Sequence, residues 1–344
     1  MHLNISCSTD NAYLQHCMAM LCSVFDNNKN HSITVHLLHN NLSESSRNIV
    51  SELCSRYRQE VQFYDISKSN LFRNAQITHS SLSVATYYRL ILGSTIPNDI
   101  GKILYLDCDV IVLNDISELF EINLDGYGVA AVRDSCPYDN KHRFDIGIGL
   151  DDKMFCAGVL MINLKYWREN NCQSMFFDYM DNMKNRLRFE DQDVLNYTFR
   201  HKWLQLPYKY GAYPFSIAVI DYGQKRFDYN DYYFSPSIIH FATHVKPWLN
   251  IRVPLDKYYW KYVKLSGFPS PITATATKDT IHKIRSTKIR YYINTFIRPF
   301  IPNIIEIPVK DIFVLLKLIV YVFQPKKFKL LLLRQWLGKY HIQY

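Results

Sequence analysis

The first 65 residues alternate two hydrophobic periods, and that alternation limits the folds open to the chain. Leu3–Ser8 is a short apolar run that ends in the polar turn Ser8-Thr9-Asp10-Asn11. Leu14, Cys17, Met18, Leu21, Cys22, Val24 and Phe25 then recur at spacings of three and four, the period of an amphipathic helix. Asp26-Asn27-Asn28 ends it, and strand-like Ser32–Leu38, helical Ser43–Tyr57 and strand-like Glu60–Tyr64 follow. A β-turn-α-β-α-β order predicts a parallel sheet covered by helices.

Further along, Lys102–Leu106 reads as a buried strand, continued after a break by Val110–Leu113, and Gly128–Arg133 and Ala157–Asn163 read as strands. Ser83–Leu92, Lys165–Asn170, Gln173–Lys184 and Gln192–Phe199 read as helices, and no internal repeat is evident. Pro269-Ser270-Pro271 and the Thr/Ala run to Thr277 read as a linker, so the boundary falls near residue 268. Tyr138–Asp152 is long and polar, which suits either a closing lid or an ordinary surface loop.

Charge divides the chain at about the same place. The 344 residues carry a net +9, yet residues 251–344 hold 17 Lys/Arg and 4 Asp/Glu, and residues 1–250 hold 23 and 27. A basic appendage on a slightly acidic body is not the pattern of a nucleic-acid binder. With 48% hydrophobic residues, 11 Gly and 13 Pro, the chain is not disordered or collagen-like. The eight cysteines form no Cys-x-x-Cys pair, so they read as buried apolar residues in a reducing cytoplasm. The N-terminus lacks a basic region and an apolar core, so no secretory signal is expected. Ile312–Phe323, broken by Lys317, falls short of the ~20 residues of a membrane span.

Three groups of residues carry chemistry. Asp107 and Asp109 follow the strand Lys102–Leu106, and alternation along a strand points both the same way. Ligands of open α/β sheets bind at the carboxyl ends of strands. Paired carboxylates there call for a cation, with Mg²⁺ or Mn²⁺ the natural choice and phosphate oxygens as co-ligands. Two solvated loop carboxylates are the plain alternative, but the position argues against it. In His240-Phe241-Ala242-Thr243-His244-Val245-Lys246-Pro247-Trp248, His240 or His244 offers a third ligand and Lys246 a point charge for phosphate. Arg188-Phe189-Glu190-Asp191-Gln192-Asp193 opens a helix, and capping accounts for one or two of its acids but not for the whole cluster.

Four blocks in this order resemble the retaining glycosyltransferases of family 8: Cys7–Tyr13; Ser83–Leu90 leading to Tyr105–Asp109; Cys156–Leu164 with Glu190–Asp193; and His240–Trp248. The resemblance covers residues 3–250. It implies a GT-A nucleotide-binding α/β fold with a mixed, mostly parallel central sheet flanked by helices. It also implies a UDP-sugar donor, UDP-glucose or UDP-galactose, and a saccharide or glycolipid acceptor. By resemblance, Asp107, Asp109 and His240 would hold Mn²⁺ (or Mg²⁺), and Lys246 would meet the diphosphate. Ser8, Thr9 and Asp10 would take the uracil edge, with Tyr13 stacked on it. Arg89 and Asp134 would hold donor sugar and diphosphate, with Cys108, Ala157 and Gly158 completing the donor site. Asp191 would bind sugar hydroxyls, and Gln192 would lie behind the anomeric carbon, these two forming the catalytic pair. Gln192 is a poor nucleophile, so retention would come from front-face attack. The chain departs from the family pattern at Cys156, Thr243, Ser81 and Ala12.

These readings converge on a metal-dependent hexosyltransferase (EC 2.4.1 type) in residues 1–268, acting on a bacterial lipopolysaccharide, lipooligosaccharide or other surface glycan. Residues 269–344 are expected to form a basic, mainly helical extension. There Ile281, Ile284 and Ile289 alternate with Lys283, Arg285 and Lys288, and Lys326–Trp336 mixes Lys, Leu and Trp. Such segments lie in membrane interfaces, here the cytoplasmic face of the inner membrane, or pack as a helical subdomain. The competing reading is a non-catalytic sugar-nucleotide-binding or membrane scaffold protein that keeps the fold. Donor hydrolysis by wild type but not by Asp109→Ala separates the two.

Overall fold

The computed structural model describes residues 1–278 and 281, apart from 70, 73, 74, 76, 78–82, 135–139, 185, 215–235, 243–245, 252 and 254. Of the basic extension only residues 269–278 and 281 are described, and Ser81, Thr243 and His244 lie outside the described residues. One compact unit spans Met1–Thr280.

Its main sheet has the order β3-β2-β1-β4-β7-β6-β8, built from His2–Thr9 (β1), Ser32–His39 (β2), Glu60–Asp65 (β3), Lys102–Leu106 (β4), Val129–Arg133 (β6), Phe155–Asn163 (β7) and Trp203–Leu206 (β8). β1 runs parallel to β2 and β4, β2 to β3, and β6 to β8, whereas β7 is antiparallel to β4 and β6. The expected mixed, mostly parallel sheet is present. Its register places the site: Ser6 pairs with Tyr105, and Leu106 pairs with Val159. The carboxyl ends of β1 and β4 and the amino end of β7 therefore meet at one edge.

Two expectations change, and two further elements appear. Val110–Leu113 does not prolong β4. A turn closed by Val110 N donating to Asp107 O redirects the chain, and Val110–Val112 (β5) pairs antiparallel with Ile238–His240 (β9) in a second sheet. Ser83–Leu92 is a 3₁₀ helix over Val84–Ile91 that passes into the short α-helix Leu92–Thr95. β8 shows no clean alternation in sequence, its Trp203 and Leu204 being half-buried, Gln205 exposed and Leu206 buried. The helix Asp256–Ser266 was also unforeseen, although Tyr259, Tyr262, Val263 and Ser266 bury one face at helical spacing.

That last helix covers Leu14–Asn27, which is buried almost throughout. Tyr259 OH accepts from Gln15 Nε2 at 2.9 Å, and Tyr262 OH accepts from Asn27 Nδ2 at 2.7 Å. The stretch read as a linker also runs against the unit: Ala274 N donates to Trp248 O at 2.8 Å, and Ile272 N donates to Gln15 Oε1. The compact unit thus reaches twelve residues beyond the boundary read near 268. On the other side of the sheet, Phe176, Phe199 and Trp167 pack with Phe155 and Leu160 in the main core.

The described part of the polar segment 138–152 is tied down. Asn140–Asp145 is helical and buries His142 against Asp193, and Tyr179 OH donates to Ile146 O at 2.6 Å.

Candidate active site

The site assembles from the sheet edge outward. Asp107 leaves β4 with its N–H held by Gly158 O of β7 at 2.9 Å. Asp109 sits two residues on, and β9 brings His240 opposite Val110. Ligand atoms of Asp107, Asp109 and His240 all lie within 4.8 Å of one another. His240 Nε2 is 3.1 Å from Asp109 Oδ1 and 3.8 Å from Asp107 Oδ2. The imidazole fits because residue 158 is glycine. A Cβ there would meet His240 Cε1 at 2.1 Å and Asp107 Oδ2 at 2.8 Å.

Asp109 Oδ1 is buried without a hydrogen-bond partner among the described residues, though His240 Nε2 is near it. A buried carboxylate oxygen rarely stays unsatisfied without a reason. Two carboxylates and an imidazole are the donor types that a divalent first-row or alkaline-earth ion accepts. These residues fit such an ion. Lys246 Nζ reaches Asp109 Oδ2 at 2.5 Å and donates to Phe241 O at 2.8 Å. Burial works against charge on Asp109, but Lys246 and His240 hold its carboxyl well below the usual carboxylate range.

Arg89 stands at the centre of a second layer. Its guanidinium pairs with Asp107 at 2.7 Å and with Asp191 at 3.0 Å, donates to Ala157 O at 2.5 Å, and lies 4.3 Å above the Tyr105 ring. Thr86, one turn earlier on the same 3₁₀ face, donates to Asp191. Burial pushes the Asp191 carboxyl up to about 7, with Arg89 and Thr86 pulling it back. Gln192 is held at both ends: its Oε1 accepts from Ala157 N and its Nε2 donates to Asp134 Oδ2, each at 2.9 Å. Glu190, at the first turn of the helix Glu190–Phe199, adopts a left-handed φ of 43°. Three carboxylates, Asp107, Asp109 and Asp191, face two cations, Arg89 and Lys246.

Ser8, Thr9, Asp10, Tyr13, Arg89, Asp107, Cys108, Asp109 and Lys246 line one cavity. Asp10 Oδ1 accepts from Tyr13 N at 2.9 Å, which shapes the turn before the helix Leu14–Asn27. The Cys108 thiol donates to Ser8 O at 3.1 Å. Ala157 and Gly158 form the wall behind Arg89 and His240, and Asp134 with Gln192 closes its far end. Among the described residues, Ser8, Thr9, Asp10, Tyr13, Arg89, Asp107, Cys108, Asp109 and Lys246 share this cavity, and His240, Asp134, Ala157, Gly158, Asp191 and Gln192 adjoin them through the contacts given above; His244 lies outside the described residues.

Sequence reasoning passed over Thr86 and Tyr105 as site residues, and His16, which stacks on Trp248 at 3.6 Å beside Tyr13. Thr86 was detectable, being three residues before Arg89. Cys156, noted as a departure, places its Sγ 3.4 Å from His240 Nδ1.

The sheet order is that of an α/β protein with the GT-A fold, and an Asp-x-Asp turn and a histidine stand at the sheet's edge. The sequence matches the family described as glycosyl transferase family 8 over residues 4–252, and the chain belongs to that family. It is 26% identical over 284 residues to general stress protein A of Bacillus subtilis, covering 79% of this chain and 96% of the relative. It is 25% identical over 250 residues to lipopolysaccharide 1,2-glucosyltransferase of Escherichia coli, covering 71% and 73%. Against two streptococcal glycosyltransferases it spans 27% and 31% of their length. The fold matches the crystal structure of galactosyltransferase LgtC in complex with donor and acceptor sugar analogs. That match has a TM-score of 0.68 and 24% identity, and covers 82% of this chain and 100% of that one.

Proposed function

We propose that the chain is a metal-dependent, retaining hexosyltransferase that moves glucose or galactose from a UDP-sugar to a saccharide acceptor. The observation that carries the reading is the grouping of Asp107, Asp109 and His240 with Lys246 beside it. A bacterial lipopolysaccharide or lipooligosaccharide is the acceptor class favoured by the Escherichia coli relative's name, and the sugar analogs in the LgtC structure suit a saccharide acceptor.

A divalent Mn²⁺ or Mg²⁺ ion held by Asp107, Asp109 and His240 would neutralise charge on a departing diphosphate. Lys246, now paired with Asp109, adds a positive charge at the same place. Ser8, Thr9 and Asp10 offer polar groups to a uracil edge at the other end of the cavity, and Tyr13 offers an aromatic face. Arg89 locks Asp107 and Asp191 together, which fixes the metal-side and sugar-side carboxylates relative to each other. Asp191 would accept sugar hydroxyls. Gln192, an amide pinned by Ala157 and Asp134, orients the donor sugar without forming a bond to it. Retention then follows from front-face attack, with the leaving phosphate taking the acceptor's proton. A trapped covalent glycosyl-enzyme would contradict this.

The basic tail would hold residues 1–268 at the cytoplasmic face of the inner membrane, where its Lys and Arg meet anionic lipid. No helix among the described residues is long and apolar enough to cross a membrane. Truncation after residue 280 should release the protein from membranes while soluble-acceptor transfer persists. The test of the whole reading is UDP release from UDP-glucose and UDP-galactose, with Mn²⁺ and with chelator. Manganese-dependent release from one donor supports it, and no binding of any uridine nucleotide sinks it.

A further inference from the structure

The amino end of β7 is fixed by side chains as well as by neighbouring strands. Its register against β6 shifts between Ala131 and Arg133, and Arg133 pairs with Phe155. The helix Glu190–Phe199 supplies amide groups there. Asn196 Oδ1 accepts from Phe155 N and Asn196 Nδ2 donates to Phe155 O, both at 2.8 Å. Gln192, one turn earlier on the same helix face, accepts from Ala157 N at 2.9 Å, and Arg89 donates to Ala157 O. The backbone on either side of Cys156 is therefore held.

Cys156 and Gly158 stand two residues apart, so alternation along the strand puts both on one face. His240 lies over that face. Gly158 makes room for its ring, since a Cβ there would meet Cε1 at 2.1 Å. Cys156 Sγ stands 3.4 Å from Nδ1, within hydrogen-bond reach for sulfur. Both residues are buried, His240 to 3% exposure and Cys156 to 7%. On the opposite side of the ring, Nε2 is 3.1 Å from Asp109 Oδ1, a buried oxygen with no hydrogen-bond partner among the described residues. One ring nitrogen thus faces a thiol and the other faces the carboxylate pair.

We propose that Cys156 is a positioning residue of the candidate metal site. A ligating imidazole gives its Nε2 lone pair to the ion and keeps a proton on Nδ1. That buried N–H needs an acceptor, and the Cys156 sulfur supplies one. The contact fixes the tautomer and keeps Nε2 turned toward Asp107 and Asp109. Cys156 acts through His240 and not on the ion or the donor. The proposal rests on the reading of His240 as a metal ligand.

The test measures Mn²⁺ binding to the full chain by electron paramagnetic resonance of the free ion. Electron spin echo modulation reports imidazole nitrogen on the bound ion. Wild type is compared with Cys156→Ala, Cys156→Val and Cys156→Ser, with Asp109→Asn as the reference for the ion site and thermal melting as the check on folding. Cys156→Ala and Cys156→Val should each weaken Mn²⁺ binding about tenfold and diminish the nitrogen modulation. Cys156→Ser keeps an acceptor and should return to within about threefold of wild type, with the modulation restored. Valine refills the space but cannot accept, so wild-type affinity in Cys156→Val would reduce the thiol to packing and overturn the proposal. Wild-type affinity in Cys156→Ala, or Cys156→Ser as weak as Cys156→Ala, would overturn it too. In each of those cases, Mn²⁺ binding that Asp109→Asn still weakens leaves the metal reading standing. No Mn²⁺ binding by wild type, or binding that Asp109→Asn leaves unchanged, overturns the metal reading and the proposal together.

Discussion

The Cα of Gly158 lies so close to the His240 ring that a methyl group there would sit 2.1 Å from Cε1 and 2.5 Å from Nε2. The amino end of β7 is thus the surface against which the candidate metal ligand rests. Gly158→Ala must push the imidazole away from Asp109, because the opposing atoms belong to a buried ring rather than a flexible tip. We predict a loss of Mn²⁺ affinity of about 10- to 100-fold, the range for displaced ligand support, measured by electron paramagnetic resonance of free Mn²⁺. Unchanged affinity would show that His240 is not a ligand.

Arg89, itself buried, joins the buried Asp191, the half-buried Asp107 and a carbonyl, and no other described cation pairs with both Asp107 and Asp191. Arg89→Met leaves those carboxylates unpaired. Breaking a buried pair in this way costs about 3–5 kcal/mol, so thermal unfolding should shift sharply downward. Arg89→Lys keeps the charge but not the fork, and should fall between wild type and Arg89→Met. A melting temperature within a degree of wild type for Arg89→Met would contradict the network.

Asp191 gives the chain a pH signature. Burial lifts its carboxyl from 3.8 to about 7, against the pull of Arg89 and Thr86. Between those values the folded chain keeps a proton that the unfolded chain has released. Stability from this group is therefore present at low pH and declines as pH rises through the window. Asp191→Asn cannot titrate. The stability advantage of wild type over Asp191→Asn should shrink from pH 5 to pH 8, read from melting temperatures at both. A constant or growing gap would count against the shift.

Much of this was readable from the chain. The two periods in residues 3–65 gave β1 to β3 and their helices, because each side chain's burial there follows from its own element. The Asp107–Asp109 turn was readable because an apolar strand ends directly before it. What sequence could not supply was pairing between distant segments. The fate of Val110–Val112 was settled by β9, some 130 residues later, and the role of Arg89 by partners at 107, 157 and 191. The clash that makes Gly158 obligatory depends on His240, 82 positions away. The helix Asp256–Ser266 is hard to read from sequence because its buried face mixes Tyr259, Tyr262 and Val263 with Asp256 and Ser266, so polar atoms interrupt the apolar stripe.

If Asp107, Asp109 and His240 form one divalent-cation site, uridine diphosphate binding depends on that ion. The most direct measurement is calorimetric titration of UDP into the protein with Mn²⁺ and with chelator, for wild type and Asp109→Asn. Wild type should bind UDP tightly and one-to-one with Mn²⁺, lose that binding on chelation, and bind at least tenfold more weakly as Asp109→Asn, about 1.4 kcal/mol. UDP binding that ignores both the chelator and the substitution would contradict it.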